Sequence, residues 1–407
     1  MFRSRIWLAA AIVSAAVAGT LFFTAIAFGQ KTLLPDRQRA EKFMKEGNFK
    51  EALDIYTTLA LNPKNDPLKT GEDMSGAILC LQRLGRVGEF DEFVEKTIKN
   101  HTGNWRVLAR AARYYMDIEH YGSMIAGQFV RGAHRGASAV VNSFERDRVR
   151  AMQLYLAALE KNTKDKESGN DSNQPGYLYL EYSRALMGNR GWSEAWRLQY
   201  LTDLSVLPDY EEGYYYWDYH SGTRGAPVNP DGTPVFHRMP KNWESATTDG
   251  ERFRWCMSQA IEYSPSLKIS VLSEWADFLC NQFGVATMSQ YRGYFNRTAE
   301  DDTKKNESGP YAVHTLEENE TIARLATGIK RFKLPDEFNY IKIYRQIADQ
   351  DKNTGHGQQS LYRLADIFEN RMQYVKAAEC WRRSIREYGD AGKDKQERLD
   401  RIVKNWG

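Results

Sequence analysis

The stretch LYRLADIFENRMQYVKAAECWRRSIREY, Leu361 to Tyr388, decides how this chain is read. Its first half sets Leu361, Leu364, Ala365 and Phe368 at the i, i+3, i+4, i+7 spacing of one helical face. Its second half carries Tyr374, Ala377, Ala378, Trp381, Ile385 and Tyr388 on the same kind of stripe. Glu369 to Gln373, between them, is short enough only for a tight antiparallel turn. Small Ala365 and Ala377 face large Phe368 and Trp381, so two helices can approach closely and interlock. Near the other end of the chain the pattern recurs at a constant offset of 325 residues. Ala40, Phe43, Phe49, Ala52, Leu53 and Tyr56 stand where Ala365, Phe368, Tyr374, Ala377, Ala378 and Trp381 stand.

This alternation of small and large residues resembles the tetratricopeptide repeat, a helix–turn–helix unit of about 34 residues. The expected fold is therefore all-α: an irregular tetratricopeptide-like solenoid, interrupted by a central aromatic and Pro-rich loop with a short β-hairpin. Bulk properties agree. Aromatic residues make up 13% of the 407, yet the mean hydropathy is −0.63. A repeat array combines the two, because each unit buries a narrow aromatic and alanine stripe and leaves charged helix surface in water. With 56 basic and 53 acidic residues the net charge is +3, so no field of one sign is available to drive nucleic-acid or membrane-surface binding.

The N-terminus sets the expected compartment. Arg3 and Arg5 precede Ile6 to Phe28, an uncharged run of 23 apolar or small residues that ends near Ala27 and Gly29. Residues 1–29 read as a cleaved signal peptide or as a membrane anchor with the remainder outside the cytoplasm. Four cysteines, Cys80, Cys256, Cys280 and Cys380, show no metal-binding spacing. Buried thiols are the plainer reading; a Cys256–Cys280 bridge is the alternative in an oxidising compartment.

Three segments follow the export signal. Residues 30–207 read as N-terminal helical repeats, with an insertion and partly ordered loop at 121–148. Residues 208–249 are the aromatic and Pro-rich insertion, and 250–407 are C-terminal repeats. In the first, Tyr177 to Leu207 reads as a helical hairpin whose second helix holds Trp192, Ala195, Trp196 and Gln199. In the last, Glu320 to Ala348 reads as a helical pair around Leu334-Pro335-Asp336. The insertion holds five of the twelve prolines, and Asn229-Pro230-Asp231-Gly232 suits a tight turn joining two short strands.

Candidate ligand-binding residues gather in that insertion: Tyr214, Tyr216, Trp217, His220, Phe236, His237 and Trp243. Stacked rings beside two histidines suit a sugar or a peptide, while ordinary packing is the plainer reading of the same rings. Asp349, Asp351, Asn353 and Gly355 suggest a calcium loop, but Thr354 and Ser360 occupy the places that need Gly and a bidentate acid. Arg131, His134, Arg135, Arg146, Arg148 and Arg150 form a basic cluster that could receive an acidic partner or an anionic envelope polymer, with a solvated loop as the plainer reading. No phosphate-binding loop, dinucleotide fingerprint, nucleophile elbow or paired-histidine metal motif occurs. The expectation is a non-enzymatic protein without cofactor or catalytic metal.

Several further stretches carry a second resemblance: Arg146 to Ala151, Gly225 to Pro240 (GAPVNPDGTPVFHRMP), Asp249 to Trp255 (DGERFRW), and Arg398 to Gly407 (RLDRIVKNWG). Together with Glu320–Tyr344 and Ile367–Ile385, they resemble the tetratricopeptide-like N-terminal region of large bacterial alpha-2-macroglobulin-like envelope proteins. That family traps proteases with macroglobulin β-domains, a bait region and often a thioester, none of which stands in this sequence. The resemblance implies either a stand-alone relative or a sequence that would continue beyond Gly407 into β-domains, and it carries over no functional residue. The leading functional expectation is an exported scaffold binding a protein partner in the cell envelope. The alternatives are part of a macroglobulin-like protease-inhibitor system, and a glycan or peptide binder using 208–249.

Overall fold

The computed structural model describes residues 35–134, 139–166, 174–188, 190, 194–213, 225–285, 312–325, 328–352, 355–389 and 393–406. The apolar span 6–28 lies outside them, as do Tyr214, Tyr216, Trp217, His220, Arg135 and Asn353. Among the described residues, thirteen α-helices dominate over six short strands, and no helix is long and apolar enough to cross a membrane. The chain forms two compact units: Met1–Ser168 with Leu204–Tyr215, and Gly169–Asp203 with Tyr216–Gly407. This division differs from the sequence segments, because residues 174–187 pack in the second unit rather than the first.

The first unit opens with α1 (35–46) and α2 (Phe49–Leu61), followed by α3 (Thr70–Arg83), α4 (Phe90–Asn100) and α5 (Trp105–Asp117). Gly47 joins α1 to α2 in the left-handed region at φ +80°. The Asn48 amide then reaches back to the Phe43 carbonyl at 2.8 Å, closing the helix end as glycine-terminated helices do. Gly85 repeats the device after α3, with Arg86 N–H on the Leu81 carbonyl at 2.8 Å. Ala52, Tyr56, Leu59, Met74, Ala77, Ile78, Val94, Leu108 and Ala112 fill the core between these helices. Alanines at the closest approaches let Tyr56 lie against Gly76, where an added Cβ would stand 2.8 Å from the ring.

The described residues of 121–148 form strands and the start of a helix, where their Gly, Arg and Ser content suggests a partly ordered loop. Strands β1 (Tyr121–Ile125) and β2 (Gln128–Arg131) form a hairpin whose two turn residues, Ala126 and Gly127, both have positive φ. Such turns match the right-handed twist of paired strands. β3 (Val140–Asn142) pairs with β1, and β4 (Glu211–Glu212) with β3, in the order β2-β1-β3-β4. Helix α6 (Phe144–Lys166) begins at once, so Arg146, Arg148 and Arg150 sit in its first turns. The expected solvated basic loop is corrected accordingly. Arg131 and Arg148 are 1% and 2% exposed.

In the second unit α7 (Gln174–Met187) packs on α8 (Asp249–Tyr263), and α9 (Lys268–Phe283) follows. Among the described residues, the second helix expected after α7 is a short 3-10 stretch, Ala195–Gln199, and Trp192 lies outside them. The expected hairpin of the insertion is minimal, with one bridge between Val228 and Pro234 closed by Gly232 N–H on the Asn229 carbonyl at 2.8 Å. The helical pair expected at 320–348 is corrected as well. Glu320–Leu325 (β5) and Gly328–Lys333 (β6) make an antiparallel hairpin, and only α10 (Tyr340–Gln350) is helical.

The stretch Leu361–Tyr388 lies in a helical hairpin, α11 (His356–Asn370) and α12 (Tyr374–Tyr388). Its turn reproduces that of α1–α2 at the same offset. Met372 replaces Gly47 at φ +56°, and Gln373 N–H bonds the Phe368 carbonyl at 2.8 Å. A non-glycine residue there stores roughly 1 kcal/mol of backbone strain. The turn is held by its side chains: Arg371, 1% exposed, donates to the Glu317 and Glu320 carbonyls at 3.1 and 3.0 Å and to the Tyr340 hydroxyl at 2.7 Å. Gln373 donates to the Leu316 carbonyl at 2.7 Å, and Asn370 to that of Val285. Helix α13 (Lys393–Trp406) closes this end, burying Leu399 and Ile402.

Candidate functional site

The three described aromatic-insertion candidates pack on different neighbours. Phe236 lies between Phe283 and Phe338, with ring centroids 5.4 and 4.7 Å away. Trp243 rests on Tyr182 and Trp255 at 5.2 and 5.8 Å, with the Arg252 guanidinium 4.5 Å above its ring. His237 is 6% exposed and lies over Gly250 in the first turn of α8, where any Cβ would fall 2.2 Å from Nδ1. Burial lowers the His237 pKa to about 4, so the ring is neutral near pH 7. Packing accounts for these three residues.

The His237 shift makes a pH prediction. The unfolded ring titrates near 6.5, so between about pH 6.5 and 4 the unfolded chain binds the extra proton and stability falls with pH. Unfolding in urea should cost roughly 2–3 kcal/mol less at pH 4.5 than at pH 7 from this residue alone. His237→Leu should flatten that part of the profile; an unchanged slope would show that the ring is not held neutral.

Neither Cys256 nor Cys280 forms the bridge considered for an oxidising compartment, since both thiols are free. Burial pushes Cys280 up to about 11 and raises Cys256 as well, so both stay protonated. The carboxylates of the calcium reading are engaged within the protein. Asp349 pairs with Arg383 at 2.7 Å, and Asp351 accepts the Gly357 amide at 3.1 Å.

One cluster invisible in the sequence joins Ser143, His120 and Asp147. Asp147 Oδ2 accepts from Ser143 Oγ at 2.6 Å and from His120 Nδ1 at 2.9 Å. The order is wrong for a nucleophile, because Ser143 bonds the carboxylate and not the imidazole, whose Nε2 faces the Met116 carbonyl at 3.2 Å. Ser143 is also 1% exposed. Arg131 completes the node, bonding Asp147 at 2.7 Å and Asp91 at 2.7 Å. It is a structural knot tying β2 to α4 and α6.

One surface concavity of ligand size lies within the first unit, on one side of α1, α3 and α5. A groove of about 420 Å³ is lined by Glu41, Met44, Lys45, Tyr56, Leu79 and Tyr114, among others. Its volume falls in the range of binding sites. Met44 on α1, Leu79 on α3 and Tyr114 on α5 follow at a constant spacing of 35 residues (44, 79, 114). Helices α1, α3 and α5 thus each present one long apolar side chain at the same interval. Leu79 is 39% exposed in an otherwise closely packed helix. Behind it, burial holds the Cys80 thiol at about 11, with Sγ 3.1 Å from Met44 Sδ.

A second groove, about 500 Å³, runs beside α2 and α4. Two ion pairs already stand on its rim, Arg86 with Glu89 at 2.6 Å and Lys96 with Glu92 at 2.5 Å, while Asp54 carries none. In the first groove, Glu41 and Lys45 are exposed and carry no ion pair. The apolar row Met44, Leu79 and Tyr114 makes the α1–α3–α5 groove the candidate site. Compared with models of known protein families and with curated proteins, the chain matches none.

Sequence reasoning missed these residues, although the 35-residue recurrence was available in it. Met, Leu and Tyr share length and apolarity, not identity, and the small–large pattern marks the buried seam, not the opposite face.

Proposed function

We propose that this chain is an exported, non-enzymatic tetratricopeptide-like scaffold that holds a segment of another cell-envelope protein in the α1–α3–α5 groove. The observation that carries the reading is the ladder Met44, Leu79 and Tyr114, an apolar row kept in register on alternate helices. A stacked helical array offers such rows to extended partners through shape and scattered polar contacts. The apolar N-terminal run supports an envelope location.

A photoreactive amino acid placed at Leu79 in the producing cells tests this. One discrete protein adduct is expected, lost when Met44→Glu is added, while the same probe at Val375, 68% exposed on α12, gives none. If position 79 yields no more adduct than position 375, the groove is not a binding site.

A further inference from the structure

From Val235 to Ser245 the one buried residue is His237, and its neighbours in the segment are half-buried or exposed. Among the described residues, one backbone hydrogen bond ties 226–246 to another segment, from Ala226 N–H to the Gln282 carbonyl at 2.8 Å. Side chains therefore hold the segment down, and the one fully inserted among 235–245 is an imidazole. The ring fits because residue 250 is glycine, where a Cβ would stand 2.2 Å from Nδ1. Its Nε2 is buried and meets no hydrogen-bond partner. An apolar side chain would fill such a notch without leaving a polar atom unsatisfied. What the imidazole adds is the capacity to take up a proton.

We propose that 235–245 is an acid-released strap with His237 as its peg: protonation expels the ring from the Gly250 notch and lifts the segment off α8 and α9. Release uncovers Phe278, which lies 6.3 Å from the imidazole, and the slot between Phe283 and Phe338 that Phe236 fills. The charges around the ring agree with expulsion. From α8, Arg254 Nη1 donates to the His237 carbonyl at 3.2 Å and pairs with Glu337, in the 3-10 stretch Asp336–Phe338, at 2.9 Å. Glu251, also on α8, attracts the protonated ring, but its carboxylate already accepts Thr247 N–H and Oγ1 at 2.7 and 2.9 Å. α9 presents the apolar face of Phe278, and Arg238 beside the peg is an exposed cation. Burial outweighs the Glu251 attraction, and the Arg254 charge adds to it, so the ring titrates at about 4 in the notch. Once released it titrates near 6.5. Opening therefore binds a proton below about pH 6.5, and the released population should grow roughly fifty-fold between pH 7 and 4.5.

The globally unfolded chain binds the same proton, so the test must show where opening occurs. A glutamyl endopeptidase that works in acid and neutral buffer cleaves after exposed Glu244 when the strap is free to enter its active site. Initial rates are read by mass spectrometry on the full-length chain, each divided by the rate for the free peptide 235–250 at the same pH. Cleavage after Glu244 should rise roughly fifty-fold from pH 7 to 4.5. Cleavage after Glu369, inside α11, should stay at least about tenfold slower at both. His237→Leu should abolish the pH dependence. Gly250→Ala, whose methyl group takes the place of the ring, should raise cleavage at pH 7 by at least about tenfold. A rate that is flat with pH, the same rise in His237→Leu, or no effect of Gly250→Ala each overturns the strap. So does equal cleavage after Glu244 and Glu369, which would make the opening global.

Discussion

Replacing Arg131 with Met should destabilise the chain by about 3–5 kcal/mol, the range for breaking a buried ion pair from one side. The guanidinium is 1% exposed and makes contacts that no other residue can supply. Nη1 donates to Asp147 at 2.7 Å, to Ser143 Oγ at 3.0 Å and to the Glu119 carbonyl at 2.8 Å, while Nε and Nη2 reach Asp91 at 3.0 and 2.7 Å. Burial would raise the Asp147 pKa, but hydrogen bonds from His120, Arg131 and Ser143 and the Arg131 charge outweigh it and hold the carboxyl below its ordinary value. Its stabilising contribution is thus in place above about pH 4, the unfolded value, and is lost as pH falls through the folded one. Without Arg131 the carboxylate stays 3% exposed with no guanidinium partner. The check is a double-mutant cycle in urea. Arg131→Met with Asp147→Leu should be destabilised by at least about 2 kcal/mol less than the sum of the single changes. Additive effects would mean that the two charges are not coupled.

Arg131 also marks where sequence reading stops. Its partners Asp91 and Asp147 lie 40 and 16 residues away along the chain, and nothing local distinguishes it from a solvated arginine. The α1–α2 and α11–α12 hairpins were legible because their signal is local. A small–large stripe on each side of a short turn, repeated at offset 325, marks both helices and the turn between them, while the left-handed conformation shared by Gly47 and Met372 is seen only in the structure. The strands at 320–333 were lost to an ambiguity of period. Ile322, Leu325, Ile329 and Phe332 recur at three or four residues, which suits a helical face, whereas the β-branched residues and the Gly328 turn favour strands. The short 3-10 stretch at 195–199 escaped for a related reason, since a helical stripe does not report helix length. Of the aromatic insertion, Phe236, His237 and Trp243 illustrate what rings alone cannot say: their neighbours on α8, α9 and α7 turn them inward.

Trp381→Ala should cost about 3–5 kcal/mol and release α13 before the rest of the second unit unfolds. Trp381 stands where Tyr56 stands in the first hairpin, and it is 3% exposed. Its ring meets Tyr362 at 5.5 Å across the α11–α12 seam, and its Nε1 donates to Glu369 at 2.8 Å. The opposite contact is from α13: the Arg398 guanidinium lies 4.7 Å from the ring centroid while pairing with Asp366 at 2.7 Å and Glu369 at 3.1 Å. Removing the indole leaves a cavity, a Glu369 carboxylate that keeps Arg398 but loses one donor, and an Arg398 with no ring beneath it, the last worth about 0.5–1 kcal/mol. Trp381→Phe keeps most of the volume and the ring face but loses the N–H donor, so about 1–2 kcal/mol is expected for it. Helix α13 has only Leu399 and Ile402 buried as apolar anchors among its described side chains. Its attachment therefore leans on Trp381 more than that of α11 does, with Leu361, Leu364 and Phe368 each 2% exposed or less. Amide hydrogen exchange separates the two effects. In Trp381→Ala, residues 393–406 should lose protection by at least about tenfold more than 361–368. Equal loss in both would mean that α13 is held by something other than this ring, and a cost under about 1 kcal/mol would mean that the seam does not depend on it.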